Sequence, residues 1–224
     1  GKSTLGKVLE ELSMNSDLSL NVISLDDFYY PAKELDKAMY GNPWNVPRGL
    51  PGAHSLSDMQ STLDRFVNTG ELIAPIFDKS LRNGYGDREG ILESQPKVLV
   101  IEGWFLGCTP VTDNKTVCDL VNDDIQLNLS NNEREYRLII QDNLCNYLPI
   151  WKMISKLWHI RAEEFQFTSI WKQQQENNML IDKGSSLSGS ELESFVRMIS
   201  SAIPQKSLQE INADITININ LNRR

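Results

Sequence analysis

The sequence predicts an α/β fold, a parallel sheet with helices on both faces. Three observations lead there. Two short apolar runs, Asn21–Leu25 and Lys97–Ile101, read as buried parallel strands. Several stretches repeat apolar residues at i, i+3, i+4 and i+7, the mark of helices with one face on a core. The two kinds of segment follow one another along the chain, the order from which such sheets are built. At 224 residues the chain reads as a single domain over 1–224, long enough to bury a core. No apolar run approaches the length of a membrane span, so no membrane role is expected. A net charge of -8 argues against nucleic acid as a partner. An anionic ligand would therefore need locally clustered basic residues. The three cysteines Cys108, Cys118 and Cys145 show no C-x-x-C spacing and there are only two histidines, so no zinc site is expected. This sparse cysteine content fits a reducing, cytoplasmic setting.

Taken in order, the chain opens on Gly1-Lys2-Ser3-Thr4, the second half of the phosphate-binding pattern G-x-x-x-x-G-K-[ST]. In that loop backbone N–H groups and a helix N-terminus cradle phosphates, the lysine reaches the β and γ oxygens, and the hydroxyl holds Mg²⁺. Leu5, Val8, Leu9 and Leu12 follow at helical spacing, so a helix is expected where the loop needs one. A chain that begins inside a motif, without Met, reads as a piece of a longer one. A strand, a glycine and four residues are expected ahead of Gly1. A transit peptide would lie there too, which leaves a chloroplast destination open beside the cytoplasm.

Asn21–Leu25 runs into Asp26-Asp27-Phe28-Tyr29. Carboxylates at the end of a parallel strand face the crevice where such sheets bind ligands, although the same pair could cap a turn. Asp27, one residue on from Asp26, is expected to point away from the γ-phosphate. Residues 41–54 hold three prolines and three glycines, which marks a shaped loop. Within it Arg48 and His54 either bind an anion and a hydroxyl or staple the loop to itself. Ser55 caps a helix with Leu56, Met59, Leu63, Phe66 and Val67 on one face; Asp58 stands at the capping-box position and Gly70 ends it. Lys79, Arg82 and Arg88 then gather around Phe77-Asp78-Lys79-Ser80 and the glycine-bearing segment 83–88. That local basic excess suggests an anion, unless Arg88 pairs with Asp87 or Glu89. Lys97–Ile101 ends in Glu102-Gly103, and an acid at the tip of such a strand is the second carboxylate of phosphate-loop enzymes, holding Mg²⁺ directly or through water.

The order phosphate loop, helix, strand, Asp26-Asp27-Phe28-Tyr29 resembles the superfamily of uridine kinase, phosphoribulokinase and pantothenate kinase. That resemblance implies a P-loop NTPase-type sheet whose first strand is missing from this chain. There the first acid of the element lies beside the acceptor hydroxyl, a role that falls on Asp26. Arg48-Gly49-Leu50-Pro51-Gly52-Ala53-His54, Phe77–Ser80, Gly86-Asp87-Arg88 and Val100-Ile101-Glu102-Gly103-Trp104-Phe105-Leu106-Gly107 narrow it. Together they are similar to the plant and cyanobacterial type of D-glycerate 3-kinase and to kinase-like proteins of fungi, with Ala53 where that family has Thr. The resemblance implies ATP-dependent phosphorylation of D-glycerate at its 3-hydroxyl, with ATP and Mg²⁺ as cofactors. It assigns Gly1, Lys2, Ser3 and Thr4 to the triphosphate, Ser3 and Glu102 to the metal, and Asp26 with Lys2 to catalysis. Arg48, His54, Lys79 and Arg88 fall to the small hydroxy acid. Two alternatives stand beside it: another acceptor on this scaffold (nucleoside, pantothenate or sugar phosphate), or an ATP-binding regulator that does not turn over.

Residues 109–131 are polar and Asn/Asp-rich, expected as a loop. A helix is expected over 132–148 with Tyr136, Ile139, Ile140 and Leu144 inward. Trp151, Ile154 and Leu157 suggest a strand ending near Trp158 and His159, the latter a packing or surface residue. Residues 162–203 read as a lid-like helical region: a helix over 162–179, a joint at Ser185–Gly189, and a helix over 190–203 with Leu192, Phe195, Val196 and Ile199 inward. Trp171-Lys172-Gln173-Gln174-Gln175-Glu176 resembles the family's W-R-L-Q-A-E, with Lys172 in place of Arg. A lysine cannot reproduce the bidentate grip of a lid arginine on phosphate. Asp214–Leu221 alternates strictly, the period of a half-buried edge strand. Nothing in the sequence speaks to oligomeric state.

Overall fold

The computed structural model describes residues 2–111, 127–184, 186–187 and 189–223. Gly1, Cys118 and most of the expected 109–131 loop lie outside them. Helix α1 (Lys2–Met14) begins at the motif and packs on strand β1 (Leu20–Ser24). The approach is close: a Cβ on Gly6 would come 2.9 Å from Val22 Cγ1. The expected apolar stripe is not a core face, since Val8 and Leu12 are 44% and 63% exposed. Beneath α1 the described sheet is only the pair β1 and β4 (Val98–Glu102), so much of the stripe meets no partner. That pair is parallel, Leu20 opposite Val98 and Ser24 opposite Glu102. In-register pairing brings both strand ends, and the acids that follow, to one edge.

Past β1 the chain winds into a 3₁₀ turn, Leu25–Phe28. Ser24 Oγ accepts the Asp26 N–H at 3.2 Å, and the Asp27 carboxylate returns to the Ser24 N–H at 2.8 Å. Its other oxygen accepts the Phe77 N–H at 3.2 Å. Asp27 thus points into the fold, where both its oxygens satisfy backbone donors that would otherwise be orphaned. Helix α2 (Ala32–Met39) follows, and α3 (Leu56–Thr69) starts at Ser55, whose hydroxyl accepts the Asp58 N–H, and ends at Gly70 in the left-handed region. Val67 at its end is 69% exposed rather than inward. Strands β2 (Leu72–Asp78) and β3 (Asp87–Ser94) form an antiparallel hairpin with an irregularity between Ile76 and Phe77. Pro75 and Gly90 inside these strands hid them from pattern reading.

Helix α4 (Asn131–Cys145) opens with a capping box of Ser130 and Glu133. Ile139 on it is 48% exposed while Arg137 is buried. The apolar stretch expected as a strand instead begins with the short helix α5 (Leu148–Trp151), with Pro149 in its first turn where a missing N–H costs nothing. Strand β5 (Trp158–Ala162) starts where that strand was expected to end, and pairs parallel with β6 (Ile215–Ile219). On β6 the alternation does not mark a buried face, since Ile215 and Ile217 are 46% and 37% exposed. Helices α6 (Phe167–Lys183), α7 (Gly189–Ser201) and α8 (Gln205–Gln209) complete the chain. No described helix is long and apolar enough to cross a membrane.

The core centres on the 3₁₀ turn and the 41–54 loop, with Leu25, Phe28, Leu35, Leu50, Ala53, Met59, Phe105, Ile140, Leu144 and Tyr147 wholly or almost wholly enclosed. A buried loop must satisfy its own polar backbone. Asn42 does so by donating to the Met39 and Val46 carbonyls and accepting the Val46 N–H. Trp104 donates to the Gly49 carbonyl at 2.9 Å, Asn143 to that of Pro51 at 3.1 Å, and the Gly52 N–H goes to the Tyr147 hydroxyl at 2.9 Å.

Candidate active site

At the start of α1, Lys2, Ser3 and Thr4 form its first turn, all exposed. Gly1 lies outside the described residues. Ser3 Oγ donates to Glu102 Oε1 at 2.8 Å, across 99 positions of sequence. A hydroxyl and a carboxylate oxygen so placed at a helix start are the donor types of a hard cation that keeps its remaining positions for water and phosphate. Among the described residues no cluster of three or more His, Cys, Asp or Glu could hold a metal alone. The donor set therefore fits Mg²⁺ bound together with a nucleotide, and does not fit a metal bound by protein alone.

Beside it, the 3₁₀ turn carries Asp26, and the β2–β3 hairpin carries Lys79. Their charged groups meet at 2.6 Å. Burial alone would push the Asp26 carboxyl up, but the Lys79 ammonium, by its charge and its hydrogen bond, and the Tyr29 hydroxyl hold it well below the usual carboxylate range. Burial likewise opposes the Lys79 charge, and Asp26 outweighs it, so the ammonium is held above its ordinary value. At neutral pH the pair is ionised.

Arg48 and His54 are each 1% exposed, so the loop delivers both into the interior. Arg48 Nη1 donates to the carbonyls of Gly84 and Tyr85, stapling the 41–54 loop to the β2–β3 turn. Its Nη2 is buried with no hydrogen-bond partner among the described residues. His54 stacks on Tyr29 with ring centroids 4.4 Å apart; its Nδ1 meets the Tyr147 hydroxyl at 2.8 Å, and its Nε2 is buried and unpartnered. Burial drops the His54 imidazolium to about 4, so the ring is neutral at pH 7. The Asp26 carboxylate acts on both Arg48 and His54. Of the alternatives left by the sequence, Arg48 does staple the loop yet keeps one donor uncommitted. Arg88 is engaged elsewhere: Nε donates to the Tyr29 carbonyl at 2.8 Å and Nη2 meets Asp58 at 2.7 Å, not Asp87 or Glu89.

Lys172 on α6 is drawn into the same field. Its ammonium sits 2.5 Å from Glu176 and 4.2 Å over the Phe195 ring of α7. Burial lowers it to about 8, Glu176 opposing that fall. Glu176, 2% exposed, also accepts the Leu187 N–H at 3.0 Å, tying α6 to the segment before α7. Sequence reasoning missed Tyr29, Tyr147 and Glu176 as site-lining residues. Tyr29 and Glu176 each end a motif that the sequence shows, whereas nothing in the sequence around Tyr147 sets it apart.

No protein-family model matches the chain. It is 32% identical over 209 residues to the uncharacterized kinase mug58 of Schizosaccharomyces pombe, covering 88% of this chain and 73% of that protein. With the probable ATP-dependent kinase TDA10 of Saccharomyces cerevisiae it shares 26% identity over 190 residues, 80% of this chain and 63% of that one. With the chloroplastic D-glycerate 3-kinase of Arabidopsis thaliana it shares 28% over 209 residues, 88% of this chain but 43% of that protein's length. Among solved structures, D-glycerate 3-kinase from Cryptococcus neoformans superposes with a TM-score of 0.80 at 27% identity, over 99% of this chain and 82% of that one. Phosphoribulokinase from Rhodobacter spheroides shares the fold alone, at TM-score 0.51 and 13% identity over 97% and 66% of the two chains.

Proposed function

From the fact that this chain belongs to the kinase family that includes mug58 and the D-glycerate 3-kinases, we propose that it transfers the γ-phosphoryl group of ATP to the 3-hydroxyl of D-glycerate. Membership makes it an ATP-dependent phosphotransferase with an alcohol acceptor; the acceptor's identity is our reading. The observation that carries it is the pair of buried, unpartnered donors, Arg48 Nη2 and His54 Nε2, in the field of the Asp26–Lys79 pair. In a chain of net charge -8 such donors suit a small anion with several oxygens.

Catalysis in phosphoryl transfer is chiefly positioning and charge neutralisation. Lys2 with the α1 N-terminus holds the phosphates, and Ser3 with Glu102 would hold Mg²⁺, which when bound neutralises β and γ oxygens. Asp26 orients the attacking hydroxyl. Its depressed pKa makes it a weak base, which a loose transition state tolerates because the hydroxyl proton leaves late. Lys79 keeps Asp26 ionised and lies where it can meet a negative oxygen. Arg48 binds the carboxylate, and Arg88, through the Tyr29 carbonyl, supports the ring that His54 stacks on.

The full-length protein, given ATP, Mg²⁺ and a panel of D-glycerate, uridine, pantothenate and ribulose 5-phosphate, should phosphorylate glycerate fastest, with 3-phosphoglycerate identified by ³¹P NMR. Turnover of a nucleoside with inert glycerate would overturn the assignment. Arg48→Ala should raise KM for the acid by tenfold or more while leaving that for ATP within a few-fold, since a hydrogen bond to a charged group contributes about 1.5–3 kcal/mol.

A further inference from the structure

His54 is enclosed by three aromatic rings: stacked on Tyr29 and edge-on to Phe105 and Tyr147. Its two ring nitrogens face different chemistry. Nδ1 lies 2.8 Å from the Tyr147 hydroxyl, which also takes the Gly52 N–H at 2.9 Å. The Gly52 N–H can only donate, so the phenol oxygen accepts it, and Nδ1 is the one group within reach that can take the phenol proton, since no other acceptor bonded to this hydroxyl occurs among the described residues. In the neutral imidazole one nitrogen accepts and the other carries the hydrogen. Nδ1 accepts, so the N–H is on Nε2, the nitrogen that is buried and has no partner among the described residues. An unpaired buried donor is costly, and a site keeps one where a ligand supplies the acceptor.

We propose that Tyr147 is a positioning residue that locks His54 in the Nε2–H tautomer, so that His54 presents a fixed, uncharged donor to an oxygen of the acceptor substrate beside Asp26. The location of the acceptor rests on the reading of the site given above; the tautomer does not. A donor of this kind reads a carboxylate or hydroxyl oxygen, rejects an N–H in the same place, and takes no part in moving the proton. It adds selectivity without adding a further positive charge to those of Lys79 and Arg48. Tyr147 comes from the α4–α5 junction, 93 residues from His54, so the device exists only in the folded chain.

Long-range ¹⁵N–¹H correlation spectra of the full-length protein read the tautomer without any substrate, and loss of signals in His54→Gln assigns them. At pH 7 the wild type should show a neutral ring protonated at Nε2, and Tyr147→Phe should lose that single pattern. An Nδ1–H ring or an imidazolium in the wild type overturns the proposal. Kinetics test the donor. His54→Gln, whose amide nitrogen can replace Nε2, should keep the acceptor KM within a few-fold. His54→Asn, whose amide nitrogen replaces Nδ1, should raise it about tenfold, both with unchanged KM for ATP. The opposite order overturns the donor role, as does full activity in a Tyr147→Phe protein whose tautomer has changed. If Tyr147→Phe fails to fold, the wild-type spectrum and the Gln/Asn pair decide. If glycerate is inert and another alcohol is turned over, the same comparison on that alcohol decides this inference, and only the acceptor assignment fails.

Discussion

Asp26 and Asp27 are neighbours with opposite tasks. Asp26 turns to Lys79 at 2.6 Å, while Asp27 spends both oxygens on the Ser24 and Phe77 N–H groups. Asp26→Asn should therefore lower kcat by about 10²–10⁴-fold, the usual range for a group acting on the transferred proton, with near-normal ATP affinity by calorimetry. Glu102→Gln, beside Ser3, should instead weaken Mg·ATP and be partly restored by raised Mg²⁺. Asp27→Asn is expected to act on folding rather than chemistry. An amide offers one acceptor for two backbone donors, so midpoint denaturation should fall by about 1–2 kcal/mol at little change in KM. A large kcat loss in Asp27→Asn with full stability would reverse the two roles.

At the scale of elements, α4 and α7 are joined by one carboxylate. Glu133 accepts the Ser130 N–H at 2.8 Å to close the α4 cap and receives Arg197 of α7 at 2.8 and 3.0 Å. Burial would raise the Glu133 carboxyl, but the Arg197 guanidinium and the Ser130 N–H hold it below its ordinary 4.5. A folded-state value below the unfolded one means stabilisation that is complete above about pH 4.5 and lost as the pH falls through the folded value. Glu133→Gln should thus cost about 0.5–1.5 kcal/mol in urea at pH 7, from the charge-assisted bonds with the partly exposed Arg197, because a glutamine oxygen still accepts the Ser130 N–H, and much less at pH 3. An equal deficit at both pH values would remove the charge from the explanation. Lys172 and Glu176 play a comparable part between α6 and α7, so Lys172 serves there as a buried tie beneath Phe195.

For the molecule as a whole, the centre of gravity of the core is a loop. Residues 41–54 lie among the 3₁₀ turn, α4, α7 and the β2–β3 turn, and their backbone is satisfied by Asn42, Trp104, Asn143 and Tyr147 from around the chain. Gly52 shows how tightly. Its φ of +100° is a region side chains rarely adopt, and a Cβ there would come 2.5 Å from Asn143 Nδ2. Gly52→Ala should destabilise the protein by about 2 kcal/mol or more, from backbone strain and displacement of Asn143. It should also raise KM for the acceptor, because the same loop carries Arg48 and His54. Near-wild-type urea midpoint and kinetics in that variant would mean the loop relaxes freely.

What the sequence determined by itself was local. The start of α1 at Lys2, strands β1 and β4, the acids at their tips, the caps at Ser55 and Gly70, and the shaped loop 41–54 all depend on residue types within a few positions. The family pattern, too, is a set of short segments. Long-range choices were settled by folding. The β2–β3 hairpin was hidden by Pro75 and Gly90, and β5 was displaced to Trp158 by the helix that Pro149 starts. Val8, Leu12, Ile139 and Ile217 fit a periodic stripe yet are left exposed because burial needs a partner as well as a pattern. The site follows the same division. That Asp26, Arg48, His54, Lys79 and Glu102 are chemically able was legible. Which of them pair is set by contacts between residues 50 to 100 positions apart: Lys79 on Asp26, Ser3 on Glu102 and Tyr147 on His54. Hydrogen bonds and ion pairs act over a few ångströms in space, and the chain's order carries no record of that distance until it folds.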